Sequence, residues 1–122
     1  MNYKNFEELP IWIQAREIVN MIYQVLRKNE QIIKNFGLSN QLVGSGISIM
    51  NNIAEGFDSD NNNEFIRFLV YSQRSCSEIM SMTYILSDVY SEKQTAKLIY
   101  KKCLEERKQI KGLIKYLKSA KK

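Results

Sequence analysis

Phe65, Leu69, Ser72, Cys76, Ile79, Thr83, Leu86 and Tyr90 follow one another at steps of 4, 3, 4, 3, 4, 3 and 4, with no proline or glycine among them. That period holds one stripe on one side of an α-helix, whereas a strand needs alternation. A second stripe of Phe68, Ser75, Met82 and Val89 runs beside it. A helix over 62–90 rises about 40 Å at 1.5 Å per residue. An element of that length buries its stripe only against others of similar length, so the rest of the chain must supply them.

The partners are there. One proline and five glycines punctuate all 122 residues, far too few for the frequent turns of an all-β fold. Trp12, Ala15, Val19, Ile22 and Leu26, flanked by Ile11, Ile18 and Val25, make a wide apolar face over 9–29. Proline at position 10 suits a first helical residue, and Arg27, Lys28 and Asn29 suit a last turn. Residues 30–36 read as a connection. A helix over 38–55 carries Leu42, Gly46, Ile49 and Ile53 beside Val43, Ile47, Met50 and Ala54. Asn61, Asn62 or Asn63 is expected to cap the helix over 62–90. Ser91-Glu92-Lys93-Gln94 has the form of a capping box opening a helix over 92–118, where Ala96, Ile99, Cys103, Ile110, Leu113 and Leu117 keep a heptad-like seam that Glu106 interrupts. The tail from Lys118 to Lys122 is expected to fray. Short connections make neighbours antiparallel, so the expected fold class is all-α, an antiparallel up-down-up-down four-helix bundle forming one domain over 1–122.

Gly44, Ser45, Gly46 and Ser48 are poor helix formers, each glycine costing about 1 kcal/mol against alanine. A helix tolerates them where another backbone comes close; a kinked first turn is the alternative. Ser72, Ser75, Cys76 and Ser77 are expected to face those glycines. Gly56 is read as a left-handed helix stop.

The net charge of +5 is unevenly placed. Residues 1–92 hold seven Lys/Arg against eleven Asp/Glu, and residues 93–122 hold eleven against two, so the two parts carry −4 and +9. Lys97, Lys101, Lys108, Lys111, Lys115 and Lys118 recur at 4, 7, 3, 4 and 3, a basic ridge along one helix, with Tyr100 and Tyr116 near it for base stacking. Such a ridge suits RNA phosphates, while a solvated lysine face that keeps an assembly soluble is the alternative.

Other chemistry is thin. The absence of histidine removes the commonest general base and the Glu-x-x-His pairs of di-iron bundles. Cys76 and Cys103 cannot complete a zinc site, and they read as buried free thiols of a reducing cytoplasm rather than a disulfide. Glu55, Asp58, Asp60 and Glu64 cluster in sequence and could supply oxygen ligands to magnesium; a solvated loop with dipole partners is the plainer reading. Ion pairs Arg74–Glu78 or Glu55–Arg67 would be structural. No phosphate loop, signal peptide or membrane span is apparent in the sequence. The expectation is therefore a cytoplasmic non-enzyme with no cofactor and no metal.

Trp12 within Phe6-x-x-Leu9-x-x-Trp12-x-x-Ala15, Gln41 after Gly37-Leu38, the block Asn52-Ile53-Ala54-Glu55-Gly56, and Glu64-Phe65-x-x-Phe68-Leu69 resemble the bacterial four-helix bundle proteins encoded in 23S rRNA intervening sequences. The resemblance runs from about Phe6 to Leu117. It implies a likeness in fold to the accessory variability protein of diversity-generating retroelements, a pentameric barrel that binds nucleic acid and a reverse transcriptase. It therefore implies a homo-oligomer, a homopentamer, with RNA or a nucleic-acid-handling protein as partner. One departure stands out. Members carry a Gln-x-Arg-Arg-Ala-Ala pattern where this chain has Gln41-Leu42-Val43-Gly44-Ser45-Gly46, so any anion binding falls to the ridge. The alternative function is a protein-interaction scaffold that binds no nucleic acid.

Overall fold

A computed structural model describes residues 1–120, and the last two lysines of the tail lie outside the described residues. A single 3-10 turn, Phe6–Glu8, leads into α1 (Pro10–Lys28), α2 (Glu30–Lys34), α3 (Phe36–Asp58), α4 (Asn62–Asp88) and α5 (Lys93–Ala120). Among the described residues there is no strand, and no helix is long and apolar enough to cross a membrane.

Asparagines set the boundaries. The Asn29 side chain accepts from the amides of Gln31 and Ile32, Asn35 from Leu38, and Asn61 from Glu64, each satisfying donors that a helix start leaves free. Asn29 closes α1 through its own amide and caps α2 with its side chain. The stretch 30–36 is thus no plain connection: α2 forms there, its Ile32 fully buried, and α3 starts at Phe36 rather than at residue 38. The tail differs too, since α5 remains helical to Ala120.

Gly56 corrects the reading of it as a stop. No glycine has a positive φ, and α3 continues to Asp58. A Cβ at Gly56 would lie 2.8 Å from Cδ1 of Phe65 and 2.9 Å from Cβ of Phe68, so glycine is there to let α4 approach. The left-handed residue is Asp60, with φ of 53°. Ser91 likewise stands in the left-handed region, with φ of 59°, and α5 opens only at Lys93, so Ser91 is not the cap of a box.

α1 packs against α3 and α5, α3 against α4, and α4 against α5; no close backbone approach joins α1 to α4 or α3 to α5 among the described residues. Along α3 and α4 the contacts run in reversed order: Ser45 with Glu78, Ser48 with Ser75, Ile49 with Ser72. Gln14 with Glu106 and Asn29 with Glu92 reverse along α1 and α5, as Ser77 with Arg107 and Tyr84 with Tyr100 do along α4 and α5. The core between them is aliphatic, with Ile18, Ile22, Leu42, Ile49, Ile53, Leu69, Ile79 and Ile99 shut off from solvent.

The expected small-against-small contact takes another form. Gly46 meets Val19 and Ile22 of α1, and Gly44 meets nothing within 4 Å. The α4 serines bond instead to non-glycine positions of α3: Ser72 Oγ donates to the Ile49 carbonyl at 3.1 Å, and Ser75 Oγ to Ser48 Oγ at 3.0 Å. Cys76 turns toward Cys103 on α5, and Ser77 accepts from Arg107. Once α1 has taken the Gly46 side of α3, the side turned to α4 is Ser45, Ser48, Ile49 and Gly56.

Candidate nucleic-acid interface

α5 is a helix of two faces. Ala96, Ile99, Cys103, Ile110, Ile114 and Leu117 go into the core. Lys97, Lys101, Lys108, Lys111, Lys115 and Lys118 are all exposed. At about 100° per residue these six fall within an arc of about 100°, and the first and last stand roughly 30 Å apart along the axis. Among the described residues none of the six forms an ion pair; α5's one salt bridge is Lys102 to Glu17, at 3.4 Å, off the ridge. Like charges so placed repel one another, and a polyanion relieves that repulsion.

The two tyrosines part company. Tyr100 is half-buried at the edge of the ridge and meets Tyr84 of α4 edge-on, ring centroids 6.0 Å apart. Tyr116 turns well away from the lysines, and its hydroxyl accepts from the N-terminal amine at 3.5 Å. Beside the Tyr84–Tyr100 pair is a groove of about 440 Å³ that also takes in Lys93 and Lys97. Tyr84 lies off the apolar stripe of α4, and only the packing of α4 on α5 brings it to the ridge.

The family-motif residues lie elsewhere and mostly hold the fold. Trp12 is half-buried, edge-on to Phe6 at 5.2 Å. Asn52 Nδ2 donates to the carbonyl and the hydroxyl of Ser48, at 2.8 and 3.0 Å, steadying the oxygen that Ser75 bonds. Phe65 is buried and meets Phe57 at 6.0 Å, Phe68 and Ala54 are half-buried, and Gln41 and Glu55 are exposed. Arg67 pairs with Glu64 at 3.0 Å, not with Glu55, and this bond holds the Glu64 carboxyl below its ordinary value. Arg74 stacks over the Tyr71 ring at 5.8 Å, while Glu78 accepts from Ser45, so the Arg74–Glu78 pair does not form. The loop carboxylates do not converge; no three His, Cys, Asp or Glu side chains among the described residues could share a metal ion.

The seam interruption at Glu106 has a larger consequence than its sequence position suggests. Its side chain has 0% exposure. Oε1 accepts from Gln14 Nε2 at 2.9 Å, and Oε2 has no partner. Burial pushes the carboxyl up to about 8; Glu17 adds to the rise, while the Gln14 bond and Lys102 oppose it. Cys76 and Cys103 are free and buried beside it. Burial first, and then the neighbouring Glu106, raises the Cys103 thiol to about 12, and burial raises Cys76 further still. Neither is a reactive thiolate near neutrality.

Fold and surface together define an all-helical protein with one outer helix given over to lysine. The chain belongs to the 23S rRNA-intervening sequence protein family, whose model matches residues 7–112. No curated protein and no solved structure matches it.

Proposed function

We propose that this protein is a non-enzymatic, homo-oligomeric RNA-binding accessory protein of the cytoplasm, built as an antiparallel up-down-up-down four-helix bundle. The observation that carries the reading is the face of six exposed lysines on α5 without ion pairs among the described residues. The family's name supplies an rRNA context for it. Reversed contact order along three helix pairs supports the topology. For assembly, the support is the outward side of α3: Phe36 is 72% exposed, Ile47 is exposed too, and the helix carries only Glu55 and Asp58 as charges. Copies packing there would cover apolar surface; the homopentamer of the resemblance is the assembly this reading takes. That same side of α3 favours the second reading, a protein-interaction scaffold that binds no nucleic acid.

The test is a gel-shift titration of purified protein with single-stranded and structured RNA from low to high salt. A Lys101→Gln, Lys108→Gln, Lys115→Gln variant runs alongside. On a single strand each phosphate contact contributes about 0.7 to the slope of log affinity against log salt, so losing three lowers the slope by about 2. Absence of binding at low salt, or an unchanged slope in the variant, overturns the RNA reading and leaves the scaffold. Sedimentation equilibrium reads the assembly separately, and a monomer at tens of micromolar would refute it.

A further inference from the structure

The groove between α4 and the first turns of α5, about 440 Å³ in volume, combines two aromatic rings with two ammonium groups. We propose that it binds one unpaired ribonucleotide, with the base against Tyr84 and the phosphate between Lys93 and Lys97, an inference that rests on the RNA reading above. Several independent features converge on that ligand. The rings of Tyr84 and Tyr100 stand at 83° to each other, and Tyr84 is 60% exposed, so a planar base can lie on one ring with its edge toward the other. Unstacked bases are held in this way on aromatic side chains, with polar groups reading their edges. Ser87 and Gln94 line the same groove and offer both donors and acceptors.

The charge is complementary to phosphate. No carboxylate lines the groove. Lys93 and Lys97 form no ion pair among the described residues. One helical turn separates them, so both reach the same side of α5. A groove of this volume falls in the range of small-ligand sites and is too small for a duplex end. Lys97 also begins the ridge, so a strand anchored by one nucleotide in the groove continues past Lys101 toward Lys108. The groove would thereby favour single strands over duplex, because a paired base cannot turn out onto Tyr84 without breaking its pair.

The experiment is a nitrogen-15 NMR titration of the full chain with AMP, with ribose 5-phosphate and adenosine as the two half-ligands. AMP is expected to shift the amides of Ser87, Lys93 and Lys97 and to bind about tenfold more tightly than either half-ligand. Tyr84→Ala touches an exposed ring and leaves the core intact; it is expected to weaken AMP binding roughly tenfold, the scale of one lost base stack. Lys93→Gln is expected to weaken AMP and ribose 5-phosphate together while leaving adenosine unchanged. Equal binding of AMP and ribose 5-phosphate would overturn the proposal, since the groove would then hold only an anion. An unchanged AMP affinity in Tyr84→Ala, or shifts confined to other parts of the chain, would overturn it as well. The two readings fail separately. Salt-sensitive RNA binding with an unperturbed groove rejects the nucleotide site and keeps the ridge, whereas loss of RNA binding at low salt rejects the ridge whatever AMP does.

Discussion

Replacing Glu106 by glutamine removes an ionisable group from the core while keeping its shape and its acceptor for Gln14. The wild-type carboxyl is fully buried, bonded through one oxygen, and raised by that burial from an ordinary 4.5 to about 8. Below pH 4.5 it is protonated in both folded and unfolded chains. As pH rises from there the unfolded chain releases the proton and the folded chain keeps it. Stability therefore falls with rising pH until the folded carboxyl also ionises near pH 8. At about 1.36 kcal/mol per pH unit over about 3.5 units, the whole loss is roughly 5 kcal/mol, of which roughly 2.5 falls between pH 5 and pH 7. The groups facing Glu106 are Glu17 of α1, Lys102 and Cys103 of α5, and Cys76 of α4, and both thiols titrate too high to interfere. Urea unfolding of both proteins at pH 5, 7 and 9, at one fixed protein concentration, measures the difference directly. Glu106→Gln should gain on wild type by about 2–3 kcal/mol from pH 5 to 7 and by about 1–2 more by pH 9. A gap that stays flat across that range would put the carboxyl at its ordinary value, one that closes with rising pH would put it lower, and either would refute the reasoning.

Two glycines of α3 should respond to alanine with opposite signs. Gly44→Ala meets nothing within 4 Å and should raise the free energy of unfolding in urea by up to about 1 kcal/mol, the helix-propensity difference. Gly56→Ala puts a methyl against Cβ of Phe68 and close to Cα of Phe65, atoms that cannot swing aside, and should cost about 1–3 kcal/mol in the same assay. Asn61→Ala removes the acceptor for the Glu64 amide and should cost about 1 kcal/mol, with the first turn of α4 losing amide-exchange protection. Cys76 and Cys103, buried and with raised thiol values, should resist a thiol reagent in native buffer at pH 8 and react fully in urea; rapid labelling of the folded chain would show the core open there.

Local spacing was enough to determine the long helices, because the phase of an apolar stripe depends on a residue and its neighbours a turn away. Trp12 to Leu26, Leu42 to Ile53 and Phe65 to Leu86 show it, and so does the lysine arc of α5, which is as exposed as its period implies. Capping was legible in kind, with asparagine at position 61, but Asn29 and Asn35 cap the starts of α2 and α3 around a five-residue helix too short to show a period. What the sequence could not decide was which side of a helix meets which neighbour. Gly56 looks like a stop until α4 is seen lying on it, and Gly46 looks like a partner for α4 until α1 fills its place. Glu106 is one polar letter in a seam until α1 and α4 close over it, and Tyr84 is one more surface residue until α5 brings Tyr100, Lys93 and Lys97 beside it. The reason is one of range: helix formation is decided within a turn or two, whereas burial, close approach and the assembly of a site depend on residues tens of positions apart, which only the packed chain brings into contact.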